Sequence, residues 1–233
     1  MRFFRDKIRT FKHYLKFLNK NEKTKLNYTV NSSSNSKLTE LMNFYGSDKG
    51  GKNNHHNYSE YYSELFFNER KNIKNFLEIG LGTNDISVPS NMGKNGTPLA
   101  SLKAWRDFFE NANIYGADID KKILKNDERI KTFFVDQTNP KTIELLFKNI
   151  GISKFDIILE DGLHEYNANI CFFENSIEFL SENGTYIIED VYYKDKEKFI
   201  NYFNKKDYNY SVVEIYHNKN IANNCVILVR KNV

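Results

Sequence analysis

The sequence predicts an α/β fold built on one doubly wound, mostly parallel sheet of seven strands. Short apolar segments alternate with helical patterns from about residue 38 onward, which is typical of βα units around a parallel sheet. Several predicted strands run into acidic or glycine-containing turns, the positions where open α/β sheets bind ligands. A chain of 233 residues is long enough for one such domain with a short appendage and too short for two full-sized domains.

Each predicted element follows from local apolar periodicity. The strands are predicted at residues 75–80, 114–118, 132–135, 155–160, 185–189, 211–215 and 225–229. The helices are predicted at residues 38–45, 59–70, 98–111, 140–149, 166–181 and 194–204. Because no helical pattern separates the last two strands, they should form a C-terminal antiparallel hairpin. The order of elements predicts a Rossmann-like domain at residues 38–233.

Residues 1–37 differ from the rest of the chain and predict a short N-terminal helical segment followed by a linker. Within residues 1–20, apolar side chains recur at helical spacing, and seven basic residues accompany a single acidic one. Two interpretations of this basic amphipathic helix are open: it packs on its own domain or on a second copy of the chain, or it contacts a membrane surface. We favour packing, and we expect a homo-oligomer.

Charge and cysteine content exclude several classes of protein. The net charge of +4 arises in the first 20 residues, so the remainder is slightly acidic and no nucleic-acid-binding domain is expected. The two cysteines, Cys171 and Cys225, lie in a predicted helix and a predicted strand and form no metal-type pair. Without a long apolar run or a signal-peptide pattern, the expected location is the cytoplasm.

The first predicted strand ends in a glycine pair, Gly80 and Gly82, which is typical of a turn that a ligand approaches closely. A dinucleotide fingerprint would place a third glycine three residues after Gly82, where this chain has Asp85. An NAD site is therefore disfavoured.

The ends of five predicted strands are acidic, and together they favour a cationic cofactor. The candidate cofactor contacts at these ends are Glu78, Gly80, Asp118, Asp136 and Gln137. Carboxylates would repel a pyrophosphate but suit a sulfonium with ribose hydroxyls, so the pattern predicts S-adenosylmethionine. Asp118 is placed to accept the ribose hydroxyls, and Asp136 with Gln137 to meet the adenine edge. For any one of these residues, helix capping is the alternative interpretation.

A second acidic group lies at the ends of the fourth and fifth predicted strands. Asp161 and the pair Glu189 and Asp190 should project into one crevice, where they would repel one another unless a cation lies between them. Mg²⁺ or another hard divalent ion is the simplest such cation, and it could orient and acidify a hydroxyl group. His164, three residues after Asp161, is the candidate general base, with a pKa expected near neutrality. A capping or supporting role for His164 is the alternative.

Two further segments have less certain roles in the predicted domain. The polar, aperiodic loop at residues 83–97 is compatible with a lid over the site or with disorder. The adjacent pair His55 and His56 lies in a Gly- and Asn-rich stretch, which favours exposed side chains.

As a set, the sequence blocks resemble a known family over about residues 38–191. In chain order the blocks are Tyr45-Gly46-Ser47-Asp48-Lys49-Gly50, His56 with Tyr58, Leu77-Glu78-Ile79-Gly80, Ser101-Leu102 with Trp105, Tyr115-Gly116-Ala117-Asp118-Ile119-Asp120, Asp136-Gln137, Glu160-Asp161-Gly162-Leu163-His164 and Ile188-Glu189-Asp190. They resemble the metal-dependent sugar O-methyltransferases of macrolide antibiotic biosynthesis, of the mycinamicin and tylosin type, and their relatives in bacterial surface-glycan gene clusters.

The resemblance implies a role for each block. It implies a Mg²⁺ site at Asp161, Glu189 and Asp190 and a base at His164. It implies S-adenosylmethionine contacts from Tyr45, Ser47, Lys49, Gly80, Asp118, Asp136 and Gln137. The family commonly has Asp-Asp-Gly-Ser-His where this chain has Glu160 to His164, which keeps the ligand and the base but removes a hydroxyl. The loop after Gly82 also differs from the family, so the resemblance predicts the reaction better than it predicts the methyl acceptor.

The expected activity is methylation of a hydroxyl on a sugar or a nucleotide-linked precursor, in surface polysaccharide or capsule modification or in secondary metabolism. Three alternatives stay open at this point: a metal-dependent hydrolase, an NAD-dependent oxidoreductase on the same fold, and a non-catalytic partner subunit. A partner subunit would be expected to lack the carboxylates and His164, which this chain has.

Overall fold

The computed structural model describes residues 25–28, 36–52, 56–217, 220 and 223–232, and in this part of the chain an eight-stranded sheet forms the middle layer. The strands are β1 (Lys25–Tyr28), β2 (Asn75–Ile79), β3 (Asn113–Asp118), β4 (Ile130–Phe134), β5 (Phe155–Glu160), β6 (Leu180–Ile188), β7 (Tyr208–Ile215) and β8 (Cys225–Lys231). The α-helices are α1 (Lys37–Tyr45), α2 (Tyr58–Phe66), α3 (Ala100–Phe108), α4 (Pro140–Ile150), α5 (Tyr166–Glu174) and α6 (Lys196–Phe203). None of these helices combines the length and apolar character needed to cross a membrane.

The strand order β1-β7-β8-β6-β5-β2-β3-β4 determines where a site can form. Every adjacent pair is parallel except the two pairs that β8 makes, with β6 and with β7. The chain winds outward from β2 through β3 to β4 and then returns to β5 on the other side of β2. The carboxyl ends of β2, β3, β5 and β6 therefore meet at one edge, and the winding direction changes between β2 and β5.

Each face of the sheet is covered by helices, as a doubly wound fold requires. Helices α1 to α3 pack aromatic side chains such as Tyr62 and Trp105 on one face, while α4 to α6 pack Phe147 and Phe173 on the other. Along β2, Phe76 contributes to the first core and its neighbour Leu77 to the second. The residues of a buried strand alternate between the two faces, so β2 is apolar on both sides.

The structure confirms the predicted fold class, including the β7–β8 antiparallel hairpin, and adds one strand. Within the segment predicted as a linker, β1 pairs in parallel with β7, with Lys25 opposite Val212. The four residues of β1 contain no apolar run, so only backbone pairing identifies them as a strand. The helix predicted at residues 1–20 lies outside the described residues, and the division of the chain after residue 37 stays a prediction.

The helix predicted at residues 166–181 is wrong in its second half, because α5 ends at Glu174. The Ser176 hydroxyl donates to the carbonyl of Phe172 at 2.6 Å, and the Asn175 amide donates to the carbonyl of Cys171 at 2.8 Å. Such side-chain bonds compete with the helical ladder. A short 3₁₀ turn, Ile177–Phe179, then leads directly into β6.

Candidate active site

A cavity of about 280 Å³ opens at the edge of the sheet where the carboxyl ends of β2, β3, β5 and β6 meet. Nine of the predicted site residues line it: Ser47, Lys49, Gly80, Asp118, Asp136, Gln137, Asp161, His164 and Asp190. Three do not, namely Tyr45, Glu78 and Glu189. The acidic strand ends thus converge on one cavity, as the sequence pattern predicts.

At the β3 end, Asp118 ties the turn after β2 to the neighbouring strand. Its Oδ2 accepts the backbone N–H of Leu81 at 2.6 Å, and its Oδ1 accepts the backbone N–H of Asp120 at 2.8 Å. Burial raises the pKa of Asp118, and these backbone hydrogen bonds oppose the rise. Each carboxylate oxygen can accept a further hydrogen bond, so the side chain is held in place and can still receive a donor from the cavity.

The loop at residues 83–97 forms a wall of the cavity. It folds on itself, with the Asn84 amide donating to the carbonyls of Gly93 at 2.6 Å and Gly96 at 2.9 Å. It also crosses to the β5 end, where the Ser90 hydroxyl donates to the carbonyl of Leu163 at 2.9 Å. Val88 and Met92 add apolar lining. These contacts favour the interpretation of the loop as a lid.

Gly80 is required by the packing of the protein's own backbone. Its φ of 86° lies in the left-handed region, and a Cβ built on it would lie 1.9 Å from the carbonyl oxygen of Asp161. The end of β2 therefore touches the end of β5 at this point. This contact explains the glycine without a ligand, and a role of Gly80 in cofactor binding stays a prediction.

The amide of Gln137 is engaged by the turn after β5, not left free for a nucleobase. Its Nε2 donates to Glu160 Oε1 at 2.9 Å, and its Oε1 accepts the backbone N–H of Leu163 at 2.7 Å. Glu160 is fully buried, and its other oxygen accepts the Asn169 amide. Gln137 therefore positions the turn that carries Asp161 and His164. Both Gln137 and its neighbour Asp136 line the cavity, and the adenine contact expected of the pair stays a prediction.

Asp161, His164 and Asp190 bring three potential metal-ligating side chains together in the cavity. His164 Nε2 lies 3.0 Å from Asp161 Oδ1, and His164 Nδ1 lies 3.6 Å from Asp190 Oδ2. One ligand atom from each of the three residues lies within 4.8 Å of the others. Oxygen and imidazole ligands at this spacing suit a divalent ion such as Mg²⁺ or Mn²⁺ that keeps several water ligands.

His164 does not have the near-neutral pKa expected from sequence. Burial lowers its pKa, but the hydrogen bond to Asp161 and the charges of Asp190, Asp161 and Glu160 outweigh that effect and raise it to about 10. Conversely, although burial opposes it, the Lys49 ammonium and His164 hold the pKa of Asp161 well below its usual range. Burial raises the pKa of Asp190, and the charges of His56 and His164 oppose the rise. With its pKa raised to about 10, His164 is an imidazolium at neutral pH in this arrangement.

Glu189 lies behind the cavity rather than in it. The Tyr62 hydroxyl donates to its Oε1 at 2.6 Å, and the Lys49 ammonium lies 2.9 Å from its Oε2. That buried Oε2 accepts no hydrogen bond of good geometry from the described residues. Of the three predicted metal ligands, Asp161 and Asp190 thus face the cavity with His164. The Oε2 of Glu189 instead has the Lys49 ammonium as its neighbour, so its role as a metal ligand stays a prediction.

His56 and Tyr58 support the site, and the interpretation of His56 as exposed is wrong. His56 is 8% exposed, and its ring stacks on Tyr58 with centroids 4.7 Å apart. Its Nδ1 lies 3.4 Å from Asp190 Oδ1, which also accepts the Tyr58 hydroxyl at 2.6 Å. The helical spacing of Tyr58, Tyr62 and Phe66 is the sequence signal that could have identified this buried, phenol-bearing face of α2.

Tyr45, expected at the cofactor from the family resemblance, lies away from the cavity. Its hydroxyl donates to Asp107 at 2.5 Å and lies 3.4 Å from the Arg106 guanidinium. The hydrogen bond to Asp107 raises the pKa of Tyr45. The structure therefore links α1 to α3 through Tyr45, while Ser47 and Lys49 carry the same sequence block into the cavity.

Comparisons with known proteins agree with this geometry. No protein-family model matches the chain. The chain is 31% identical over 147 residues to the 8-demethyl-8-alpha-L-rhamnosyl tetracenomycin-C 2'-O-methyltransferase of Streptomyces olivaceus. This alignment covers 63% of the chain and 35% of that protein. The chain is 31% identical over 155 residues to the demethylmacrocin O-methyltransferase of Streptomyces fradiae, covering 66% of this chain and 36% of that protein.

A solved structure shows the same relationship. The MycE methyltransferase from the mycinamycin pathway, in complex with Mg, SAH and mycinamycin VI, aligns with a TM-score of 0.57 and 26% identity. The alignment covers 72% of this chain and 40% of that one, so the chain spans well under half the length of these relatives. In sequence and in fold the chain resembles the S-adenosylmethionine-dependent macrolide-sugar O-methyltransferases, as its sequence blocks predict.

Proposed function

We propose that the chain is an S-adenosylmethionine-dependent O-methyltransferase that uses Mg²⁺ or another hard divalent ion. The observation that carries the proposal is the meeting of Asp161, His164 and Asp190 at a cavity lined by acidic strand ends. Similarity to sugar O-methyltransferases, among them a structure containing Mg and SAH, supports the same cofactors here.

The proposed cofactor site lies between the β2 and β4 ends. Asp118, already fixed by two backbone N–H groups, would accept the ribose hydroxyls, and Asp136 would face the adenine. Ser47 and Lys49 line the same cavity from the other side. The bound cofactor supplies an electrophilic methyl group on a sulfonium, whose positive charge suits the carboxylate-rich wall.

The proposed acceptor site lies at Asp161, His164 and Asp190. A divalent ion held there by Asp161 and Asp190, with the His164 imidazole left uncoordinated beside it, would supply a Lewis acid for the acceptor hydroxyl. The charge of that ion would offset the charges of Asp161 and Asp190, which raise the pKa of His164. The imidazole of His164 could then release its proton to solvent and act as a base. His164 would take the hydroxyl proton as the oxygen forms its bond to the methyl carbon and the carbon–sulfur bond breaks.

The proposed acceptor is a hydroxyl of a sugar or of a nucleotide-linked precursor. The named relatives act on sugar-bearing compounds, which supports a carbohydrate acceptor. Surface polysaccharide or capsule modification and secondary metabolism are the two settings that we propose.

Calorimetric titration with S-adenosylmethionine, with and without Mg²⁺, tests the proposal. We expect binding that survives in Asp161→Ala and is lost in Asp118→Ala, because the first residue faces the acceptor and the second faces the cofactor. Transfer of a labelled methyl group to sugar nucleotides and glycan extracts should require Mg²⁺ and fall about 10²- to 10⁴-fold in His164→Gln. If the unmodified protein releases no heat under any condition, the methyltransferase proposal fails and a metal-dependent hydrolase becomes the better hypothesis.

A further inference from the structure

Lys49 places a buried ammonium among three carboxylates. The residue lies in a 3₁₀ turn, Asp48–Gly50, and is only 3% exposed. Its Nζ contacts Asp161 Oδ2 directly, lies 2.9 Å from Glu189 Oε2 and lies 3.6 Å from Glu78 Oε1. A lysine is rarely buried so completely unless it is paired, and here it has three partners.

The three carboxylates come from different strands. Glu78 is part of β2, Asp161 follows β5, and Glu189 follows β6. These strands are adjacent in the sheet, so their ends converge on the ammonium. Lys49 therefore joins three neighbouring strand ends to the segment after α1 through ion pairs, one of which is also a hydrogen bond.

Glu78 depends on this ammonium more than the other two carboxylates do. It is fully buried, and neither of its oxygens accepts a hydrogen bond of good geometry from a described residue. Burial raises the pKa of Glu78 to about 7, and the charge of Lys49, with a smaller contribution from the Ser101 side chain, opposes the rise. The free energy of holding an unpaired charge in the interior is large, so a cation nearby is required when Glu78 is ionised.

Asp161 divides its two oxygens between two partners. Its Oδ2 contacts Lys49, while its Oδ1 faces His164 and the cavity. The ammonium thereby fixes the rotamer of Asp161 and leaves its Oδ1 facing the cavity, where the proposed ion and acceptor would bind.

We infer that Lys49 is a resident cation of the carboxylate cluster, which neutralises the buried Glu78 and positions Asp161 and Glu189 beside the cavity. The role differs from a contact with the cofactor and makes Lys49 a positioning residue. Only the metal-binding part of the test below rests on the proposed function.

Thermal unfolding of Lys49→Met, Glu78→Gln and the double variant tests the charge pairing. Methionine keeps much of the lysine volume without the charge, so Lys49→Met should lower Tm by about 10 °C or more. Adding Glu78→Gln should restore at least half of that loss, because the uncompensated carboxylate is then absent. Lys49→Arg, which retains the charge, should lose less than Lys49→Met.

The opposite pattern would overturn the assignment. If the double variant is no more stable than Lys49→Met, the lysine contributes packing and not charge. Should Lys49→Met fail to fold, recovery of folded protein in the double variant supports the inference, and its absence counts against the inference.

Binding of Mn²⁺, followed by electron paramagnetic resonance, gives a second readout. Lys49→Met removes both a contact that orients Asp161 and a positive charge directly beside the ligand group. Because repulsion between the ammonium and the ion is the larger effect, Mn²⁺ binding in this variant should tighten by about fivefold or more. Unchanged Mn²⁺ affinity in the folded variant would contradict the inference. If no form of the protein binds Mn²⁺, the proposed metal site fails, and the unfolding experiment alone decides the role of Lys49.

Discussion

The Tyr58 hydroxyl donates a 2.6 Å hydrogen bond to Oδ1 of Asp190, and both side chains are more than nine-tenths buried. His56 approaches the same oxygen from the far side of the carboxylate. Asp190 Oδ2 is therefore the oxygen directed towards His164. Tyr58, which is far from Asp190 in the sequence, thus sets the orientation of this candidate metal ligand.

Replacing Tyr58 by phenylalanine should weaken the metal site without unfolding the protein. The ring still fills its place in the core, but Asp190 loses the donor that orients it. We expect Mn²⁺ affinity to fall about 10- to 100-fold, the range for loss of such a supporting hydrogen bond. Tyr202→Phe is the matched control, since that hydroxyl donates to Glu174 on the surface. Equal Mn²⁺ affinities in the two variants would refute the role of Tyr58.

Gly80→Ala should destabilise the fold far more than Gly151→Ala does. Both glycines have positive φ, 86° and 73°, so both substitutions carry a similar backbone strain of about 1 kcal/mol. Only at Gly80 would the new Cβ collide with backbone, whereas nothing lies within 4 Å at Gly151. Urea denaturation should show an additional loss of about 2 kcal/mol or more at Gly80. Similar losses at both positions would mean that the β2 and β5 ends can separate easily.

Gln137→Leu should cost about 1–3 kcal/mol of unfolding free energy, because it removes a donor from the buried Glu160 and an acceptor from Leu163. The turn that carries Asp161 and His164 should also lose order. Thr138→Ala is the control, since its hydroxyl bonds only to the exposed side of Asp136. Chemical denaturation measures both, and a loss for Gln137→Leu no greater than that for Thr138→Ala would argue against a positioning role.

Glu60→Gln should stabilise the protein at alkaline pH and not at acid pH. Burial, with a contribution from the charge of Glu64, raises the pKa of Glu60 from 4.5 to about 7. The folded protein therefore keeps this proton longer than the unfolded chain, and its unfolding free energy falls as pH rises between these two values. Since Glu60 is partly exposed, we expect a gain of only roughly 1 kcal/mol in the glutamine variant at pH 8.

Unfolding of Glu60→Gln by urea at pH 4 and pH 8 measures this difference. The exposed Glu69→Gln serves as the control and should change the unfolding free energy by less than about 0.5 kcal/mol at both pH values. A gain for Glu60→Gln that is the same at pH 4 and pH 8 would exclude titration as its cause.

The fold could be predicted from sequence because its signals are local. The apolar run at residues 155–160 coincides with β5. The helix predicted at residues 140–149 coincides with α4, which has Asn139 as its N-cap and Pro140 in its first turn. The strand β1 could not be predicted, since its pairing with β7 joins segments far apart in the chain. Local patterns contain no information about such a partner.

The position of the candidate site could be predicted from sequence, but the role of each residue in it could be predicted only in part. Strand ends predicted that Asp118, Asp161 and Asp190 would meet, because parallel strands bring their carboxyl ends to one edge. Which carboxylate faces the cavity depends on side-chain partners from other elements. The side chain of Glu189 contacts Tyr62 and Lys49, and the spacing of residues along the chain does not predict these contacts.

His164 and Asp190 both have positive φ, 59° and 53°, although neither is a glycine. For residues with a Cβ this conformation costs about 1–2 kcal/mol, and less for aspartate. Glycine at either position would relieve the strain, so a redesign guided by thermostability alone would remove two side chains that lie side by side in the cavity. Engineering of this protein should therefore hold both positions fixed and seek stability elsewhere, at a distance from the strand ends.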